Sequence, residues 1–362
     1  MTDDDHPILF IPGPVEVDPE LREIMAMPLL GHRSQPVKDA VVRVCEKLRP
    51  TFRTTQHAFF ENVPGTGVME AAVRNLIPHR SLHLVAGAFG ERWVKIVKAC
   101  GREPTVVNLD WGTAPTAALV AEHLDRADVS FDAVCITHSE TSTGALAELE
   151  GIARTVREKS PNTLVLVDAV TSFAGAPLEF DAWDIDLAFA GTQKCLALPP
   201  GLACFAVSER AMSRAGDVPD RGFLLDFVAC PDRFAKGAPP ATPCVPLIFA
   251  LDRQLDRIAA EGLENRWLRH RTMRDRTLAW GEAQGFAPFV AEPEHRSPTV
   301  TTLCAEGERL DAVIAAAKAA GFTLGKGYGD LKERTFRVGH MGDHSLARLD
   351  ALLDAITPRV GA

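Results

Sequence analysis

The chain has 362 residues, 46% hydrophobic and 24% charged, with 39 Lys and Arg against 48 Asp and Glu for a formal charge of −9. This is a globular composition, long enough for about two domains of roughly 150 residues each. The acidic balance argues against nucleic acid as a main partner, and no apolar run approaches the roughly 20 residues of a membrane span.

The acidic start, Met1-Thr2-Asp3-Asp4-Asp5, is not the basic start of a signal peptide. The 8 cysteines include no C-x-x-C pair and no His-rich companion. They read as free thiols, mostly small core residues, in a reducing, cytoplasmic compartment, with no metal site. Tyrosine occurs once, at Tyr328, and the sequence gives no physical reason for it.

In chain order, Ile8 to Pro14 is an apolar arm ended by a turn signal. Helical spacing follows over Val37–Leu48 and Val68–Leu76, then a strand over Ser81–Ala86 and a helix over Glu91–Ala99. Ala133–Thr137 and Leu164–Val167 read as strands on either side of a Leu149–Lys159 helix. Asp186–Phe189 and Cys204–Val207 are further apolar strands. Apolar strands separated by helices predict a mostly parallel sheet covered on both faces.

Beyond these, Leu247–Arg276 reads as one long charged helix that bridges two domains. A strand (Thr299–Cys304), a helix (Leu310–Ala320), a strand (Thr335–Val338) and a helix (Leu346–Ile356) suggest a smaller α+β unit. The predicted division is an arm over 1–19, a large domain over 20–258 and a small domain over 259–362.

Lys194 is the only charged residue between Leu187 and Ser208. A lysine is ordinarily a surface residue, but this one is flanked by apolar strands, and burying an ammonium without a role is costly. Burial lowers an amine's pKa, as a Schiff-base lysine requires. Asp168 ends the strand before it, at the carboxyl edge where parallel sheets bind ligands. It is either a loop-anchoring Asp or a charge placed to meet a cofactor.

Pro64-Gly65-Thr66-Gly67 runs straight into a helix and can hold a phosphate on free N–H groups, although a plain strand–helix turn looks similar. Glu70 stands where a dinucleotide fingerprint needs its third Gly. Thr137 to Gly144 is a hydroxyl-rich loop after a strand, either a polar turn or a set of ligand donors. Phe89 is a core ring or a cofactor platform. Arg337 is a solvated strand residue or a carboxylate fork.

In this order the motifs PGTGVMEAA, THSETSTG, VDAVTS, GTQKCLALPPG and FRVGHMG resemble those of class V aminotransferases, pyridoxal-phosphate enzymes of fold type I. The similarity is strongest to the alanine-glyoxylate and serine-glyoxylate branch and covers nearly the whole chain. It implies an α/β large domain with a mostly parallel seven-stranded-type sheet, plus the small α+β domain.

The resemblance also implies the site. Lys194 would link to the cofactor, Asp168 would face the ring nitrogen, and Phe89 and Val170 would lie on opposite ring faces. Gly65, Thr66 and Gly67 would cradle the phosphate with Gln193 nearby, and Ser142 and Thr143 would form the hydroxyl side of the pocket. Arg337 would grip the substrate carboxylate, with Gly31 and His32 lining the substrate pocket. Thr242 would reach the phosphate from the neighbouring subunit, implying a homodimer.

Two positions depart from the family pattern. Pro64 stands where many relatives carry Ser, and Pro239 where a partner-subunit tyrosine often binds phosphate. The implied activity is ping-pong transfer of an amino group from alanine, serine or aspartate to glyoxylate or pyruvate. The alternative is a lyase such as a cysteine desulfurase. Such enzymes usually place His over the ring and His before the lysine, where this chain has Phe89 and Gln193.

Overall fold

A computed structural model describes residues 6–360. The acidic start over residues 1–5 lies outside the described residues. Strand β1 (Ile8–Leu9) opens the chain, followed by helices α1 (Pro19–Met25) and α2 (Gln35–Phe52) and strand β2 (His57–Glu61). Strands and helices then alternate: α3 (Gly65–Leu76), β3 (Arg80–Val85), α4 (Ala88–Ala99), β4 (Glu103–Asn108), α5 (Ala117–Arg126) and β5 (Ala133–Thr137). The short hairpin β6 (Ser139–Glu140) and β7 (Ala145–Leu146) precedes α6 (Leu149–Lys159). Strands β8 (Leu164–Asp168), β9 (Leu187–Gly191) and β10 (Ala203–Val207) complete the large sheet.

That sheet has 7 strands in the order β2-β10-β9-β8-β5-β3-β4. All run one way except β10, which is antiparallel to both neighbours. Strands β5, β8, β9 and β10 are buried along their whole length. This is why their sequences are apolar without alternation. The carboxyl ends of β2, β3, β5, β8 and β9 share one edge, and Pro64, Gly87, His138, Asp168 and Lys194 all follow or stand at those ends.

The sequence reading found neither β2 nor β4. In β4, exposed and half-buried residues with Pro104 mark an edge strand.

After α7 (Glu209–Asp217) and α8 (Cys230–Ala235), the expected single bridging helix is in fact two, α9 (Val245–Glu261) and α10 (Leu263–Ala283). The break is Gly262, at φ 80° and ψ 136°, a backbone conformation outside any right-handed helix. Helices α11 (Gly307–Ala319) and α12 (Leu346–Val360) pack on the 3-stranded sheet β11 (Thr301–Cys304)–β14 (Thr335–Val338)–β13 (Gly325–Lys326).

Two apolar cores result. The first runs from Leu21 to Trp267, and the second joins Met273 through Ile356 to Phe10 of the arm. Helix α10 serves both, Leu263 and Trp267 in the first and Met273 in the second. The arm is therefore not a loose extension: β1 pairs in parallel with β12 (Phe322–Thr323), and the Phe10 ring stacks on His344 at 4.1 Å. A small third cluster, Val15, Cys195, Ala197, Val300 and Met341, lies immediately beyond Lys194. Among the described residues no helix is long and apolar enough to cross a membrane.

Candidate active site

A cavity of about 340 Å³ opens at the shared carboxyl edge of the large sheet. Lys194, Asp168, Gly65, Thr66, Phe89, Val170 and Gln193 all line it, so half of the residues singled out in the sequence meet in one place.

Lys194 sits in the tightly wound connection between β9 and β10. Ala197 N–H donates to the Lys194 carbonyl at 2.9 Å, and Leu198 N–H to the Thr192 carbonyl at 3.1 Å. The buried guanidinium of Arg266 holds the next carbonyl, Cys195, at 2.7 Å and is itself balanced by Glu261 and Asp343. Only 8% of Lys194 is exposed, and burial, then repulsion from Arg337, lowers its pKa to about 8. Its Nζ donates to the Pro12 carbonyl of the arm.

Asp168 ends β8 and is also buried. Its Oδ1 accepts the Val170 N–H at 2.9 Å, which fixes the carboxyl plane. Burial raises its pKa to about 7, an effect opposed by that hydrogen bond and by the Lys194 and Arg92 cations. A cationic ring N–H beside it would favour the carboxylate further.

The turn into α3 has no side-chain cap, so the first N–H groups of the helix carry no side-chain partner. A Cβ on Gly65 would lie 2.7 Å from Val170 Cγ2, so glycine alone lets this backbone close on the site. Gly67 matters for packing instead, since its Cβ would meet Val63 at 2.8 Å.

In the loop over 137–144 the Ser142 and Thr143 hydroxyls bond within the protein itself. Ser142 and Thr143 do not line the cavity. Ser142 Oγ donates to Glu140 Oε1 at 2.6 Å and accepts the Ala88 N–H at 3.1 Å. Thr143 Oγ1 accepts the Ala145 N–H at 3.2 Å inside the β6–β7 turn. The organising residue is Glu140, which accepts the Phe89 and Gly90 N–H groups at 3.0 and 3.2 Å. A buried carboxylate there satisfies the start of α4 and sets the Phe89 backbone against the cavity. It also explains why α4 begins at Ala88, three residues before the predicted start.

Arg337 on β14 donates from Nη1 to the Thr141 carbonyl at 3.1 Å, and from Nε and Nη2 to the Lys326 carbonyl at 3.2 and 3.1 Å. These bonds fix the orientation of the fork and leave donors for a carboxylate, although Arg337 is not among the residues that line the Lys194 cavity. Burial lowers its pKa to about 10, so it stays cationic.

Gly31, His32 and Thr242 are not at the Lys194 cavity of their own chain. Gly31 is exposed, while His32 and Thr242 line a separate cavity of about 270 Å³ together with Pro239. Sequence reasoning missed Gly13, Met69 and Arg92, which also line the Lys194 cavity. Arg92 had a detectable signal: with α4 starting at Ala88, it falls one turn after Phe89 on the same face.

A buried lysine of lowered pKa and a buried carboxyl, at the carboxyl edge of this sheet and beside a glycine-bounded helix start, define a pyridoxal-phosphate enzyme of fold type I. Residues 86–324 match the family described as aminotransferase class-V. The chain is 37% identical to an uncharacterized aminotransferase of Methanocaldococcus jannaschii over 92% of its own length and 88% of the relative. It is 31% identical to L-aspartate–glyoxylate aminotransferase of Paracoccus denitrificans, covering 92% of this chain and 86% of the other. Alanine–glyoxylate aminotransferase from Nostoc sp. superposes with a TM-score of 0.90 at 30% identity, covering 98% of this chain and 95% of that one. The chain belongs to the class V aminotransferases and is a pyridoxal-phosphate-dependent aminotransferase.

Proposed function

We propose that this aminotransferase moves an amino group from a small amino acid (alanine, serine or aspartate) to glyoxylate or pyruvate by ping-pong kinetics. The observation that carries this is one cavity holding Lys194 and Asp168, both buried, with the Arg337 guanidinium fixed on the Thr141 and Lys326 carbonyls and its charge acting on the lysine. The aspartate–glyoxylate and alanine–glyoxylate relatives support the choice of substrates.

When bound, pyridoxal phosphate supplies an electron sink for the donor's Cα–H bond. Lys194 Nζ, whose pKa burial and the Arg337 cation lower, would take the Cα proton and return it on the other side of the transfer. Asp168 would hold the proton of the ring nitrogen. Gly65 and Thr66 would carry the phosphate on backbone and hydroxyl, with Gln193 beside them. Phe89 and Val170 would confine the ring. Arg337 forks onto the donor's carboxylate and aligns the bond to be broken. The first keto acid leaves before the second binds.

The proposal extends to assembly. Met27, Leu29 and Leu30 are 53%, 75% and 43% exposed around an apolar recess that Phe249 also lines. A patch of this kind suits a second copy of the chain. In such a homodimer Gly31, His32 and Thr242 complete the partner's site. With a division into an arm over 1–19, a large domain over 20–258 and a small domain over 259–362, the cavity would lie against the arm and Arg337 would come from the small domain. Eight free thiols suit a cytoplasmic setting.

The test is a panel of alanine, serine and aspartate with glyoxylate and pyruvate. Parallel double-reciprocal lines support the reading. Sulfide release from cysteine without a keto acid would replace it with the lyase.

A further inference from the structure

We infer that Arg92 is a ligand of the cofactor's phosphate, supplying the charge that the glycine turn lacks. Arg92 lines the cavity from α4, opposite the turn into α3. Its Nη1 lies 3.4 Å from Thr66 Oγ1, and its guanidinium lies over the Phe89 ring at 4.6 Å. The ring holds the planar group by its face and leaves edge N–H groups for an anion. Of the acids on α3 and α4, Glu91 pairs with Lys95 and Glu70 with Arg74, and Asp168 is the cavity acid that the Arg92 cation acts on.

The charge inventory of the cavity points the same way. Its charged lining residues are Arg92, Asp168 and Lys194. Asp168 is an acid, and Lys194 Nζ would be bonded to the cofactor's aldehyde carbon rather than standing as a free ammonium. Arg92 is then the one cation left among the lining residues to meet a phosphate dianion. The helix start contributes only about half a charge, and Pro64 gives it no hydroxyl. A guanidinium within reach of Thr66 fills that gap.

The competing role for Arg92 is to grip a side-chain carboxylate of the donor, and one experiment separates the two. Apoenzyme of wild type, Arg92→Gln and Arg92→Lys is titrated with pyridoxal phosphate and with pyridoxal, followed by tryptophan fluorescence. The inference predicts that Arg92→Gln raises the Kd for pyridoxal phosphate at least tenfold, with partial rescue by Arg92→Lys. The Kd for pyridoxal should stay within twofold of wild type. If the glutamine variant does not fold, the lysine variant still reports, with a smaller loss confined to pyridoxal phosphate. An unchanged Kd, or equal losses for both ligands, overturns the inference. So does an unchanged Kd with a raised KM for aspartate alone, which assigns Arg92 to the substrate. Failure of wild type to bind pyridoxal phosphate would overturn the whole site along with it.

Discussion

Lys194 Nζ donates to the carbonyl of Pro12, so the N-terminal arm closes directly over the residue on which the site depends. The next residue, Gly13, has φ 113°, and a Cβ there would lie 2.8 Å from Lys194 Nζ. Gly13→Ala therefore strains the backbone by about 1 kcal/mol and crowds the amine. We expect a modest fall in Tm and at least a tenfold loss of kcat. Thermal unfolding with steady-state kinetics checks both, and normal kcat would show that the arm does not position Lys194.

Asp168→Asn keeps the acceptor that Val170 N–H uses, so the fold should survive. The exchange removes the charge that faces the ring nitrogen. Turnover should drop by orders of magnitude with unchanged circular dichroism. Near-normal turnover would mean that another group holds that proton.

Arg337 is oriented before substrate arrives, by the Thr141 and Lys326 carbonyls. Losing a charge-assisted hydrogen bond costs about 1.5–3 kcal/mol. Arg337→Ala should thus raise KM for amino donors tenfold or more, with a much smaller change in cofactor affinity. Arg337→Lys should recover little, because an ammonium cannot fork. A KM unchanged in both variants removes Arg337 from the substrate site.

The lowered pKa of Lys194 predicts a pH dependence with a definite sign. The neutral amine is the form that attacks the cofactor aldehyde, so capture of pyridoxal phosphate by apoenzyme should accelerate as pH rises through about 8. Arg337 repels the ammonium, so Arg337→Ala should move the midpoint upward. For apoenzyme stability, the cost of the buried ammonium is present below about pH 8 and is relieved as pH rises toward the ordinary lysine value of 10.5. Stopped-flow absorbance measures the capture rate, and a midpoint that stays fixed or moves down in Arg337→Ala contradicts the electrostatics.

The exposed Leu29 side chain gives the dimer a direct handle. Leu29→Asp should shift the mass in solution from dimer toward monomer by light scattering. It should also weaken cofactor binding if Thr242 serves the partner's site. A wild-type monomer at working concentration would contradict the dimer.

What the sequence revealed was whatever burial enforces. The apolar runs of β5, β8, β9 and β10 were legible, and so was Lys194, because it is the lone charge between Leu187 and Ser208. Edge strand β4 and the break at Gly262 were not, since a half-exposed strand and a single glycine leave weak local patterns. Glu140 stood in view inside a polar loop, but its contacts with Phe89, Gly90 and Ser142 join segments about fifty residues apart as well as near neighbours. Hydroxyls at a strand end suit either a turn or a ligand, so the residues alone leave Ser142 and Thr143 open, and their place at the cofactor rests on the family resemblance. The fold adds that Ser142 Oγ bonds within the loop and to the start of α4, and Thr143 Oγ1 within the β6–β7 turn.

The most direct test is to reduce wild-type enzyme loaded with pyridoxal phosphate using borohydride, digest it, and map the modified lysine by mass spectrometry. The account predicts a pyridoxyl adduct on Lys194 alone. An adduct on another lysine, or none, would contradict it.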